Sequence, residues 1–318
     1  MTSWIEGRRA LAGVAVAAAA LTVAASGGAR THASPTTYTL PGPMLFPEGM
    51  GVDRHNGSFF VGAIGGGAVV RGNVARPAAT VFSPAGADGR TAALGARPDH
   101  GRVYVGGTAG KIWVYSESTG KLIARLDTGL PRAVINDFAF LPDGTAFATD
   151  TTDPYLWRIT DGGRRIQKWL SFKGTPFVYV KGLNADGIVT VNGGRTLVID
   201  QLTTGKLFRV DVATKQVSEV MNTAGGGFAL TNADGMDIRG HSLYIARNAN
   251  AQIAVVRLSA DARTGNLTST MRNSRFLFPT AVVAWRNRLL VLNAQLDKLG
   301  TASKPKLPFT VVAVPRPA

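Results

Sequence analysis

The stretch LNADGIVTVNGGRTLVIDQLTTGKLFRVD, residues 183–211, holds three short apolar runs separated by polar and glycine-rich turns. Asp186-Gly187 leads into Ile188 and Val189, Gly193-Gly194 turns the chain, Leu197 and Ile199 alternate outward from the turn, and Lys206 to Asp211 closes the unit. Period-2 hydrophobicity between glycine turns specifies short antiparallel strands, and the stretch lacks the sustained 3.6-residue spacing of a helix. It reads as strand, turn, strand, loop, strand.

The same unit recurs along the chain. Before it come Pro47-Glu48-Gly49-Met50 with a turn at Asn56-Gly57, a weaker start at Thr91 to Leu94 followed by Arg102 to Val105 and Lys111 to Tyr115, and Ile135-Asn136-Asp137-Phe138 with a turn at Pro142-Asp143-Gly144. After it come Ala233-Asp234-Gly235-Met236 with a turn at Gly240-His241, and Thr280 to Trp285 with Phe309 to Val314 as a third strand. The leading positions, Glu48, Ala92, Asn136, Asp186, Asp234 and Thr280, are spaced by 44, 44, 50, 48 and 46 residues. A period of about 40 to 50 residues with three or four strands per copy is the signature of a β-propeller blade. Six copies predict an all-β fold, a six-bladed β-propeller filling residues 34–318 as a single domain. A ring left open would expose an unpaired sheet edge. Thr36 to Leu40 alternates like a strand, and is expected to complete the last blade beside Phe309 to Val314.

Composition fits one large β domain. The 318 residues are 45% hydrophobic and 17% charged, enough to bury a sizeable core, and the absence of cysteine excludes disulfides and thiolate metal sites. Residues 1–33 stand apart. Arg8-Arg9 precede an Ala/Val/Leu run from Ala10 to Ala25, and Thr31-His32-Ala33 offers a small-residue cleavage site, the layout of a signal peptide. The run is shorter than the ~20 residues that cross a bilayer, so no stable membrane anchor is expected after cleavage. The remaining chain is expected to be secreted or held in the periplasm or cell envelope. It keeps 32 basic and 19 acidic residues, a net charge of +13. The basic residues are scattered singly, without the aromatic interleaving of a single-strand platform, so no nucleic-acid partner is expected. This charge neither requires nor forbids an oligomer.

In a propeller the innermost strands line a central channel, so the leading positions of successive copies form a ring. Here the ring carries Glu48, Asp186 and Asp234 with the amide of Asn136. Three carboxylates on one axis repel one another unless a cation lies between them. Hard oxygen donors without thiolate or imidazole suit a divalent cation such as calcium. Asp143-Gly144 and Asp161-Gly162 fall at turns and read as turn residues only. His55, His100 and His241 lack metal-ligand spacing, and the chain has neither a serine nucleophile elbow nor a phosphate loop. Trp113, Trp157 and Trp285 lie in strands and are expected to pack between blades.

The motifs Glu48-Gly49, Asn136-Asp137, Asp186-Gly187 followed by Gly194-Arg195-Thr196-Leu197, and Asp234-Gly235-Met236 resemble the gluconolactonase, or regucalcin-like, family of six-bladed propellers, in order over essentially all of 34–318. The resemblance implies calcium or another divalent ion at the channel mouth, with Glu48, Asp186 and Asp234 as metal ligands and Asn136 as a substrate or metal-site contact. It also implies Asp234 as the candidate catalytic base. The family's fourth-blade ligand is typically Asn, where this chain has Asp186, and Val134 stands where sugar-lactonase members often carry Arg. The activity implied is hydrolysis of a lactone or related small ester, with the metal polarising the carbonyl and a carboxylate activating water. Two other readings share the fold. One is a non-catalytic envelope propeller that binds a small molecule or a protein around a structural cation. The other is a strictosidine-synthase-like condensing or cyclising enzyme that depends on a catalytic channel carboxylate such as Glu48.

Overall fold

A computed structural model describes residues 35–317, and the segment read as a signal peptide lies outside them. The described chain consists of 25 strands with four single-turn 3-10 segments. Its blades are four-stranded antiparallel meanders, each running from an inner strand at the channel to an outer strand at the rim; the last and first blades join into one eight-stranded sheet, and the short strand Met221–Asn222 adds to the rim of another. The inner strands are Pro47–Val52, Ala96–Asp99, Ile135–Phe140, Ala185–Val191, Ala233–Arg239 and Pro279–Trp285, heading blades 1 to 6 in that order. Each contacts the next, and Pro279–Trp285 contacts Pro47–Val52, so the ring closes. This is a β-propeller.

Burial follows position within the blade. Second strands such as Ser58–Ala63 and Thr196–Gln201 are buried along their whole length, because both faces are covered by neighbouring blades. Their sequences are accordingly near-continuous apolar runs. Outer strands such as Arg76–Ser83 and Thr264–Arg272 have mostly exposed or half-exposed residues. The core is correspondingly divided into six hydrophobic clusters, one in each gap between adjacent blades. Trp113 and Trp157 are buried in two of these gaps, and Trp285 packs at the edge of a third, as their strand positions imply.

The closure joins the two ends of the described chain. Thr37–Thr39 pairs antiparallel with Thr310–Pro315, in the register Thr37 to Val312 and Thr39 to Thr310. Thr39 also bridges in parallel to Ala78 in the outer strand of blade 1, so blades 6 and 1 share one continuous sheet. Tyr38 is fully buried between them. Its ring meets Phe59 edge-on at 5.4 Å, and its hydroxyl donates to the Val74 carbonyl at 2.9 Å.

Candidate metal centre

The site is built by a backbone irregularity repeated around the ring. In blades 1, 3, 4 and 5 the pairing of the inner strand with its neighbour slips between Pro47 and Met50, Ile135 and Phe138, Ala185 and Ile188, and Ala233 and Met236. Each slip is a β-bulge that adds a residue and re-aims side chains. The bulged pairs are Glu48-Gly49, Asn136-Asp137, Asp186-Gly187 and Asp234-Gly235. Glycine at the second position lets adjacent inner strands touch. A Cβ on Gly49 would sit 2.6 Å from the Gly95 Cα, and one on Gly235 would sit 2.8 Å from the Thr280 carbonyl oxygen. The same closeness is used for hydrogen bonds between blades: Thr280 Oγ1 donates to the Glu48 carbonyl at 2.5 Å, and Thr149 Oγ1 donates to the Asp186 carbonyl at 2.7 Å.

The result brings Glu48, Asp186 and Asp234 together. One carboxylate oxygen from each lies within 4.8 Å of the others. The three residues are only 6%, 2% and 4% exposed. Glu48 Oε2 and Asp186 Oδ1 are buried without a hydrogen-bond partner. Asp234 is held differently, with Oδ1 accepting from the Gly235 N–H at 2.9 Å and Oδ2 from Asn248 Nδ2 at 2.7 Å. Asn136 and Thr280 complete the wall. The cavity enclosed is about 10 Å³, the size of a single water molecule or ion.

Burial dominates the electrostatics. It pushes Glu48 and Asp186 well above the usual carboxylate range, and the neighbouring acids push in the same direction, while Arg97 opposes them at Glu48. Asp234 is pushed up to about 7 by burial, against the two hydrogen bonds it accepts. A group of buried acids with partnerless oxygens is the arrangement a cation relieves, since it supplies the missing charge and fills the open lone pairs. All the donors are hard oxygens, and the ring fits a hard divalent ion.

Four charged or polar positions around the channel were not singled out from the sequence. Arg97, in blade 2, forms a bidentate pair with Asp137 at 2.6 and 2.5 Å and reaches across the channel to the Met236 carbonyl at 3.1 Å. Arg54 pairs with Asp237 at 2.9 and 2.8 Å. Such pairs join blades far apart in the chain, so no local spacing announces them. They form a charged belt between the carboxylate ring and a larger cavity of about 470 Å³ at the far ends of the inner strands. Asn248 lies in a loop, with no motif around it. Asp200, fully buried in the second strand of blade 4, had one signal: an acid inside the apolar run Leu197 to Gln201.

One reading needs correction of place. The ring position in blade 2 is Leu94 and not Ala92, because Ala96 pairs with Val105 where Met50 pairs with Val61, and Gly95 then takes the place of Gly49.

No protein-family model matches the chain, and no curated protein does. Solved structures do. The Malassezia sympodialis allergen Mala s 1 superposes with a TM-score of 0.65 at 14% identity, over 88% of this chain and 96% of the allergen. The calcium-binding protein regucalcin from Agrobacterium tumefaciens superposes with a TM-score of 0.61 at 17% identity, over 87% of this chain and 93% of regucalcin. The fold is that of the regucalcin-like propellers. Virginiamycin B lyase from Staphylococcus aureus has it as well, with a TM-score of 0.57 at 15% identity over 80% of each chain. Within this regucalcin-like fold, identities this low carry the architecture alone.

Proposed function

We propose that the chain is an exported, metal-dependent hydrolase of a lactone or related small ester, with Glu48, Asp186 and Asp234 holding calcium or a similar hard divalent ion. The observation that carries this reading is the convergence of three buried carboxylates within 4.8 Å, two of them with partnerless oxygens. Bound there, a divalent ion supplies a Lewis acid for the substrate carbonyl and offsets the negative charge that develops on its oxygen. The chain's own residues supply the rest. Asn248 and the Gly235 N–H fix the rotamer of Asp234, the carboxylate assigned to take a proton from water. Glu48 is anchored through its own backbone carbonyl by Thr280, which holds the first blade against the sixth. Asn136 offers an uncharged amide on the same wall for a substrate oxygen. Arg97 lines both the ring's cavity and the larger cavity, so its pair with Asp137 lies between the two.

A panel of lactones and small esters assayed with and without chelator tests the proposal, together with Asp234→Ala. Turnover that disappears on chelation, and a variant that loses both turnover and metal binding, are expected. A variant that keeps its turnover would refute the role of Asp234. One observation favours the non-catalytic alternative: the space between the three carboxylates is of the size of a single ion. Tight metal binding with no turnover across the panel would move the assignment to a propeller with a structural cation.

A further inference from the structure

A fourth carboxylate lies beside the ring. Asp200 stands in the second strand of blade 4, paired across to Leu207, and is 0% exposed. Its oxygens have no side-chain partner, and only the adjacent backbone N–H groups of Gly187 and of Asp200 itself ease its charge. It faces the bulge that carries Asp186: the Asp200 Oδ1 and the Asp234 carbonyl oxygen each lie 3.0 Å from the point that a Cβ on Gly187 would occupy. The missing side chain at Gly187 thus leaves this carboxylate against the backbone next to Asp186, facing the neighbouring strand that carries Asp234. A carboxylate taken wholly out of water, without a countercharge, is among the costliest groups a fold can bury. The channel guanidinium groups are committed elsewhere, Arg97 to Asp137 and Arg54 to Asp237. Packing alone does not call for an acid here, since its strand neighbours Leu197, Val198 and Ile199 fill the blade gaps with apolar side chains.

We propose that Asp200 is the fourth carboxylate of the cation site, adding its charge to those of Glu48, Asp186 and Asp234, so that the ring favours a trivalent over a divalent ion more strongly than three carboxylates would. This rests on the metal-site reading above. The attraction between a fixed carboxylate and an ion scales with the charge of the ion, so removing one carboxylate weakens a trivalent ion more than a divalent one. Asn at position 200 keeps the shape and removes the charge.

Calcium and terbium(III) titrations of the purified protein and of Asp200→Asn test the idea, by calorimetry for calcium and by terbium luminescence. The variant is expected to bind calcium about tenfold more weakly and terbium weaker by a clearly larger factor. Affinities unchanged in Asp200→Asn, or reduced by the same factor for both ions, overturn the proposal while leaving the three-carboxylate site intact. An unaltered protein that binds neither ion overturns the metal-site reading itself. Should Asp200→Asn fail to fold, crystals of the unaltered protein soaked in terbium decide. An anomalous peak that Asp200 coordinates directly or through one water supports the proposal, and a peak outside its reach overturns it.

Discussion

Asp186 shows how one residue can act with opposite sign on stability and on binding. It is 2% exposed, has one partnerless oxygen, and is raised well above the normal carboxylate range by burial first and by Asp234, Asp200 and Glu48 after that. Replacing it with Asn, the family's usual residue there, removes one repelling charge without changing the shape of the side chain. Asp186→Asn should therefore raise the melting temperature of the metal-free protein and, at the same time, weaken calcium binding by about tenfold. Paired thermal melts and calorimetric titrations read the two effects separately. A variant that is less stable without metal, or that binds calcium as well as its parent, contradicts this account of the ring.

At the scale of elements, the ring depends on a closure made by three residues. Thr37–Thr39 gives Thr310–Pro315 its second neighbour and places Tyr38 in the gap between the last and first blades. Tyr38→Ala should cost about 3 kcal/mol, as for other buried aromatic side chains, and would also leave the Val74 carbonyl without its donor. Urea denaturation measures the loss. Removing residues 34–40 altogether should bare the edge of Thr310–Pro315 and produce concentration-dependent association, visible by size-exclusion chromatography. A truncated chain that stays monomeric with unchanged stability would show that the ring closes without this strand. The closure was legible beforehand because TTYTL alternates and an open ring has a chemical cost. The inner strands of blades 1, 3, 4 and 5 were legible through their acid or amide followed by Gly or Asp, the residues of the bulge itself. Blade 2 was placed two residues early, since Leu94-Gly95 carries no polar group to mark the register. Outer strands such as Leu122–Asp127 and Arg165–Ser171 face solvent, so hydrophobic alternation could not disclose them. Asp200 went unread because Leu197 and Ile199 made its strand look like packing alone, and Arg97 with Asp137 because their pairing exists only once the ring is closed.

For the whole molecule, the buried acids couple folding, pH and metal. In the folded chain without metal, burial raises Glu48, Asp186 and Asp200 well above the usual range and Asp234 to about 7. A carboxyl group whose pKa is raised by folding adds stability that is fully present below its unfolded value, near 4. That stability is lost as the pH climbs through the folded value. The metal-free protein should therefore lose stability between about pH 5 and pH 8. A cation that binds only the folded ring has to displace these protons at low pH but not at high pH, so its stabilising effect should grow over the same interval. Thermal melts in chelator and in saturating calcium, at pH 5.5 and pH 8, measure both trends. The net charge of +15 acts against the first trend, because deprotonation elsewhere eases repulsion among the many basic residues. A variant carrying Glu48→Gln with Asp234→Asn separates the two contributions: it keeps the surface charge but loses most of the ring's titration. Its pH slope in chelator should be more favourable to stability than that of the parent, and its calcium increment should vanish. A calcium increment equal at the two pH values in the parent would mean that the ring acids are already ionised at pH 5.5, and that something other than the missing cation holds their charges apart.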